Sequence, residues 1–338
     1  MKYERLIVGG VEIEPGTRQS LQIPISRRYS SEDVALPVCV IRGRRPGPKL
    51  FVSAAVHGDE INGVEIIRRM LKRKTLQRLR GTLIAVPVVN VYGFLAQTRY
   101  LPDRRDLNRC FPGSARGSLA GRLAHTFMKE IVANATHGID LHTGALHRSN
   151  FPQIRASLDS AESEQLARSF GSPLILDMPE REGSLRQTLS ELGIPMILYE
   201  AGEALRFDEL AIKAGVQGVI SVMRHLGMLP KARPKRRPVE PYVAHGSMWV
   251  RAPESGLLAT TTTLGSRVEK GAHLGTVSDP LGEEAIRVKS PTAGVVIGRT
   301  RLPLVNEGDA LFHIAVFERI DDVTEEVDFF QDVMDLDT

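Results

Sequence analysis

The sequence predicts an α/β fold: a mixed, mostly parallel sheet with helices on both faces, followed by a small all-β barrel-sandwich hybrid. Three observations carry that expectation. Apolar runs of strand length alternate with stretches of helical period up to about residue 230, a Pro- and Arg-rich stretch interrupts both, and a glycine-rich internal repeat follows. Leu50 to Val56, Leu83 to Val89, Ile139 to Leu141, Leu174 to Leu176 and Met196 to Tyr199 read as buried strands. Ile61, Val64, Ile67 and Leu71 recur every three or four residues, as do Leu119, Leu123, Phe127 and Ile131, and each set gives a helix one apolar stripe to lay on a sheet. Gly171 and Gly193 follow two further helical patterns where a C-terminal cap falls, and Gly227 closes a longer one that begins near Asp208.

The composition divides the chain into four parts. Residues 1–230 are expected to form the α/β unit, and 231–241 a linker, with four prolines between Pro230 and Pro241 and five cations from Lys231 to Arg237. Residues 242–319 form the second unit, and 320–338 an acidic tail that holds eight acids and no Lys or Arg. Within the second unit Val268, Gly271, Leu274 and Val277 match Val305, Gly308, Leu311 and Ile314 at a constant offset of 37, and Gly256 matches Gly294 at 38. Two such half-units close one small sheet structure rather than a solenoid, which needs about three copies or more. The pattern resembles the barrel-sandwich hybrid of lipoyl and biotinyl carrier domains. Carriers present a lysine at the tip of the central hairpin, whereas the only lysine of SDPLGEEAIRVK is Lys289 at its base. A structural or site-covering role is therefore expected.

Charge and cysteine content narrow the class. The net charge of +4 is expected to be spread out, since the seven cations between Arg68 and Arg80 read as a solvated helix face and those after Pro230 as linker. No aromatic-rich basic element accompanies them, so no nucleic-acid partner is expected. Cys39 and Cys110 form neither a CxxC pair nor a disulfide framework, which points to a reducing, cytoplasmic location. The amino terminus shows no secretory pattern and the longest apolar run, Leu83 to Val89, is too short to span a bilayer, so no membrane partner is expected either. A homo-oligomer is compatible with the sequence, which shows no interface.

The chemistry gathers at strand ends. HGDE follows the strand Leu50 to Val56, and His57 and Glu60 are three apart, so one helical turn lets both reach one ion. Taken alone, that spacing arises often by chance, and a helix start welcomes Glu60 for dipole reasons. His142 in DLHTG stands at the end of another strand, and the edge where parallel strands end is where open α/β proteins place their sites. Two histidines and a glutamate form a known catalytic zinc set with one position left to water. Asp140, two residues before His142, shares its strand face and either orients that imidazole or caps a loop. Glu200 in YEAGE ends a third strand, placed to move a proton beside such an ion, while Glu203 lies past Gly202 and is expected to point elsewhere. Asn90, Arg99, Asn108 and Arg109 supply polar forks suited to an oxyanion or a carboxylate, whereas Arg104 and Arg105 read as solvent-exposed.

HGDE, Asn90 with Arg99 and Tyr100, DLNR, DLHTG and YEAG together resemble the zinc-binding and catalytic motifs of the succinylglutamate desuccinylase and aspartoacylase family, relatives of the zinc carboxypeptidases. The order agrees from Val52 to Gly202, and the carboxy-terminal barrel is similar to that family's second domain. The resemblance implies a deacylase that hydrolyses the amide of an N-acyl amino acid. It implies one zinc per chain, held by His57, Glu60 and His142, with Glu200 as base toward the bound water and then acid toward the leaving amine. Arg99 is implied to stabilise the tetrahedral oxyanion, a role worth about 10²-fold or more in rate. Asn108 and Arg109 are implied to clamp a substrate carboxylate.

The sequence departs from that pattern where Arg104 and Arg105 separate Asp103 from Asp106, which leaves the role of Asp103 open. After DLHTG, His147, Arg148, Asn150 and Arg155 are read as specificity contacts, with an ordinary loop as the alternative. Cys110 reads as small packing rather than as a nucleophile. Because the same machinery attacks any amide its pocket admits, a carboxypeptidase or amidase acting on a short peptide is the alternative hydrolase. A non-catalytic scaffold using the barrel is the alternative outside enzymes. The intact His57, Glu60, His142 and Glu200 speak against the scaffold.

Overall fold

The computed structural model describes residues 4–231 and 240–317 together with Val327 and Phe330. Most of the expected linker at 231–241 and of the acidic tail at 320–338 lies outside the described residues. A short hairpin, β1 (Ile7–Val8) and β2 (Val11–Glu12), precedes two long strands, β3 (Arg18–Arg27) and β4 (Asp33–Arg42). Then come β5 (Lys49–Ala54), α1 (Asn62–Met70), β6 (Thr82–Val86), α2 (Val91–Ala96), α3 (Leu119–Glu130) and β7 (His137–Gly144). The unit continues with β8 (Arg148–Ala156), α4 (Ala161–Phe170), β9 (Leu174–Asp177), α5 (Leu185–Glu191), β10 (Met196–Glu203) and α6 (Glu209–His225). Asp208 starts α6 by accepting from the Ala211 amide at 3.0 Å, and Gly171 and Gly227 follow α4 and α6 with positive φ, where the sequence places them.

Four parallel strands in the order β6, β5, β7, β10 form the centre of the sheet. Antiparallel β4 and β3 extend it on one side and antiparallel β8 on the other. The sheet is thus mixed and, in the α/β unit, mostly parallel, since β9 also pairs in parallel with β8. β3 buries few of its side chains, and β8 lies where an ordinary loop was the alternative reading. The central strands are buried on both faces. Leu50, Val52 and Ala54 of β5 join one core layer with α1, α4 and α6, while Phe51 joins the other with α3 and α5.

The carboxy-terminal strands are β11 (Tyr242–Ala244), β12 (Gly246–Arg251), β13 (Gly256–Thr260), β14 (Arg267–Val268) and β15 (His273–Ser278). They end with β16 (Ala285–Lys289), β17 (Gly294–Thr300), β18 (Leu304–Val305) and β19 (Ala310–Val316). The sequence repeat becomes a repeat of structure: β13, β14 and β15 correspond to β17, β18 and β19. The short middle strands are exchanged, β14 pairing with β17 and β18 with β13. Val250, Leu258, Leu274, Val277, Leu311 and Ile314 fill the space between the two resulting sheets. β17 also pairs with β8, so the large sheet runs without a break from the α/β unit into the carboxy-terminal strands.

Among the described residues no helix is long and apolar enough to cross a membrane. The charge is less evenly spread than the sequence suggests. Cations from Arg42 to Arg45, Lys72 to Arg80 and Lys231 line one groove of about 1170 Å³ that has no acidic lining residue among the described residues. It lies at the end of α1 remote from Glu60.

Candidate active site

The site is built at the carboxyl ends of β5, β7 and β10. After β5, Ala55 adopts φ +50 and turns the chain toward His57. The following Gly58 has no room for a side chain, since a Cβ there would stand 2.0 Å from the backbone of Gly93 at the start of α2. Asn62, the first residue of α1, donates to the Ala201 carbonyl at 3.4 Å and accepts from the Asp208 amide at 3.1 Å. These bonds tie the turn that carries Glu60 to the end of the strand that carries Glu200.

His57, Glu60 and His142 come together as the sequence predicts. One ligand atom from each lies within 4.8 Å of the others. Glu60 stands between the two imidazoles, its Oε1 2.7 Å from His57 Nδ1 and its Oε2 2.8 Å from His142 Nδ1. All three are nearly inaccessible, at 4%, 2% and 5% exposure, and the Thr143 amide also donates to Glu60. The remaining nitrogen of each ring faces a carboxylate: His142 Nε2 is 2.7 Å from Asp140, and His57 Nε2 is 3.2 Å from Asp106. Asp140 is itself fixed by the Ser53 hydroxyl at 2.7 Å. Asp140 therefore orients an imidazole rather than capping a loop, and Asp106 is its unforeseen counterpart.

Electrostatics point the same way. Burial alone would push the two imidazoles toward neutrality, but Glu60 with Asp106 overrides it at His57, and Asp140 with Glu60 at His142, so both pKa values are raised. Burial likewise opposes ionisation of Glu60, yet the two histidines hold its pKa well below the usual carboxylate range. Three carboxylates around two imidazoles thus favour positive charge at the point between them. Two nitrogens and a carboxylate oxygen, each ring anchored from behind, are a donor set that fits a divalent ion such as zinc.

Glu200 is the register partner of His142 on the adjacent strand and of Gln153 on the other side. Its Oε1 accepts from Asn150 Nδ2 at 2.7 Å, and its Oε2 lies 2.7 Å from Arg155 Nε. Arg99 is held by Asp106, Nη2 to Oδ2 at 2.9 Å, with Glu60 at 3.4 Å. Its charge is strengthened by Glu60 and Asp106 against partial burial.

The other predicted residues are placed less directly. Asn90 is fully buried, and its amide is used within the protein: Oδ1 accepts from the Gly93 amide at 2.8 Å to start α2, and Nδ2 donates to the Arg99 carbonyl at 3.2 Å. Asn108 is buried and accepts from the Leu185 amide at 3.0 Å, while Arg109 is exposed and bonds the Asn108 carbonyl. Arg148 is exposed, its guanidinium 5.2 Å above the Trp249 ring. Glu203 turns toward Arg206 and Arg301, at 3.9 and 4.0 Å. Asp103 accepts from the Ala120 amide at 3.0 Å and so helps to begin α3. Asp106, Gln153, Arg181, Trp249 and His313 were not foreseen. Of these only Asp106, inside DLNR, carried a sequence signal.

Comparison with known proteins places the chain. A sequence model of the succinylglutamate desuccinylase/aspartoacylase catalytic domain matches residues 46–226. Over 310 residues the chain is 27% identical to the N-alpha-acetyl-L-2,4-diaminobutyric acid deacetylase of Halomonas elongata, covering 87% of this chain and 90% of that protein. A crystal structure of a succinylglutamate desuccinylase/aspartoacylase from Rhodobacter sphaeroides superposes with a TM-score of 0.78 at 26% identity, covering 89% of this chain and 96% of that one. The product-bound ectoine utilization protein EutE (DoeB) of Ruegeria pomeroyi has the same fold, with a TM-score of 0.79 at 24% identity over 88% of this chain and 95% of its own.

Proposed function

The chain belongs to the succinylglutamate desuccinylase/aspartoacylase family, and from that membership we propose that it is a metal-dependent deacylase cleaving the amide bond of an N-acyl amino acid. The observation that carries this reading is the register of Glu200 beside His142, which sets a carboxylate next to the His57, Glu60 and His142 cluster. Those three residues would hold one zinc ion. When bound, the ion supplies Lewis acidity to the scissile carbonyl and to the attacking water.

The protein's own residues do the rest. Glu200 takes a proton from the attacking water and returns it to the departing amine, and Asn150 and Arg155 fix its two oxygens until substrate arrives. Arg99, anchored on Asp106, presents a permanent positive charge to the developing oxyanion. Asn90 acts through Arg99 by holding its carbonyl. Asn108, Arg109 and Arg148 would bind the substrate's polar ends, Asn108 while also securing the start of α5.

The test is metal content of the purified protein beside its hydrolysis of N-acetyl and N-succinyl amino acids and short peptides, with His142→Ala as control. About one metal per chain, lost in the variant together with hydrolysis of the small amides, is expected. A protein that takes up no zinc and cleaves nothing would overturn the proposal, and a preference for peptides would move it to the carboxypeptidase reading.

A further inference from the structure

One row of residues crosses the sheet from the catalytic strands into the carboxy-terminal unit. Gly202 of β10 faces Asn150 of β8, Asn150 faces Gly298 of β17, Gly298 faces His313 of β19, and His313 faces Trp249 of β12. Residues opposed in this way leave the same side of the sheet, the side on which Asn150 meets Glu200. Two irregularities bring the row into line. β10 and β8 shift register between Glu200 and Gly202, and β17 and β19 shift between Val296 and Gly298, where β17 uses one residue more. Bulges of this kind re-aim side chains beside functional sites.

The space at Gly298 is filled by its neighbours. A Cβ there would stand 2.8 Å from Asn150 Oδ1, 3.2 Å from His313 Cβ and 3.8 Å from the Ser149 carbonyl oxygen, so a side chain at this position forces something to move. His313 resists. Its Cβ shifts only with β19, which pairs with β17 on one side and β12 on the other, and its ring stacks on Trp249 with centroids 4.3 Å apart and planes 5° from parallel. Burial first, then Arg155, Arg181 and Arg148, push the pKa of that ring down to about 3, which keeps it neutral in the stack. β17 is also tied to β8, since the Arg301 amide donates to the His147 carbonyl at 2.7 Å. The group that can give way is the Asn150 carboxamide, the end of a rotatable side chain. Its present orientation is dictated by its partner: an ionised carboxylate only accepts, so Nδ2 faces Glu200 Oε1 at 2.7 Å and Oδ1 is left toward Gly298. With Asn150 displaced, Glu200 would keep Arg155 as its one partner among the described residues.

We propose that Gly298 is a positioning residue for the reaction: by carrying no side chain it leaves the Asn150 carboxamide the room in which it holds Glu200, so that the carboxy-terminal unit sets the geometry of the base. This deepens the deacylase reading and rests on its assignment of Glu200. Gly298 acts through Asn150 and not by contact with the substrate. A unit that merely covered the site would have no need of a bare Cα at this point of the row, whereas a unit that positions the base does.

The test is a double-mutant cycle between Gly298→Ala and Asn150→Ala, read as kcat and KM of the zinc-loaded protein on its best N-acyl amino acid, with metal content and Tm alongside. Gly298→Ala should lower kcat about 10-fold or more, as misplacing a catalytic group does, with KM and metal content within about 2-fold of the parent. Asn150→Ala should lower kcat by a similar factor. Adding Gly298→Ala to it should cost at most about a further 2-fold, because the group that the new methyl displaces is already gone. Parent-like kcat in Gly298→Ala, or losses that multiply in the double variant, would overturn the proposal. If Gly298→Ala does not fold, Asn150→Ala must restore its folding, and failure of that rescue overturns it as well. If no amide is cleaved, the deacylase reading fails separately. The contact is then judged from crystal structures of the parent and Gly298→Ala: Asn150 Nδ2 must leave hydrogen-bonding distance of Glu200 in the variant, and an unmoved pair would sink it.

Discussion

Glu200 and His142 are register partners on adjacent parallel strands, so the carboxylate and the imidazole leave the same face of the sheet side by side. The fold alone enforces this proximity, because β7 and β10 pair over the four residues that precede it.

Glu200→Gln removes the proton-accepting charge and leaves the size and the hydrogen bond from Asn150 in place. Activity should fall about 10²- to 10⁴-fold in kcat, with metal content and Tm close to those of the parent. Steady-state kinetics on a metal-quantified sample checks it, and parent-like turnover would remove Glu200 from the role of base.

Asp106 binds two members of the site at once, the outer nitrogen of His57 and the guanidinium of Arg99. Asp106→Asn keeps the shape but weakens both attachments. Zinc affinity should drop about 10- to 100-fold, as for other groups that orient a ligand from behind. Competition with a chromogenic chelator measures it. Even zinc-saturated protein should stay slow, because Arg99 has lost its anchor, and full recovery by excess zinc would show that Arg99 does not depend on Asp106.

The sequence shows the central strands and the ligand set because both leave short, local marks: apolar runs buried on two faces, and His or Glu directly after them. It conceals β3, whose side chains are largely exposed, and β8, whose GALHRSNFPQIR has the composition of a loop. The geometry at Asn150 was also out of reach. Asn150 and Arg155 are five apart, so a regular strand sends them to opposite faces, yet both reach Glu200. The register shift between Glu200 and Gly202, where β8 uses one residue more than β10, turns Asn150 to the face of Gln153. No local pattern announces such a bulge. Nor does any announce that Gly298 and His313, more than a hundred residues from β8, complete its row.

His313 links that row to acid stability. Its pKa is lowered from 6.5 to about 3 in the folded chain, so between these values the unfolded chain binds the extra proton. Its contribution to stability is full above about pH 6.5 and is lost as the pH falls toward about 3, with a slope of up to about 1.4 kcal/mol per pH unit. The stability lead of the parent over His313→Phe should therefore shrink with acidification, read from chemical denaturation at a series of pH values. A constant lead would mean that His313 takes up its proton over the same pH range folded as unfolded, so that burial does not hold it neutral.

Metal removal should expose the opposite sign at His57 and His142. In the stripped protein their pKa values are raised above the ordinary 6.5 by Glu60, Asp106 and Asp140, so the folded state holds protons that the unfolded state releases first. That stabilisation is complete below about pH 6.5 and fades as the pH rises through the folded values. A divalent ion needs the same nitrogens deprotonated, so its binding strengthens over the range in which the protons are lost. Because a ligand specific to the folded state adds stability as its affinity grows, the Tm gap between zinc-loaded and chelator-stripped protein should widen from about pH 6 to about pH 8. Scanning calorimetry of both forms measures the gap. Were it to narrow with rising pH, protons and metal would not be sharing Nδ1 of His57 and His142, and the ion would have to lie elsewhere.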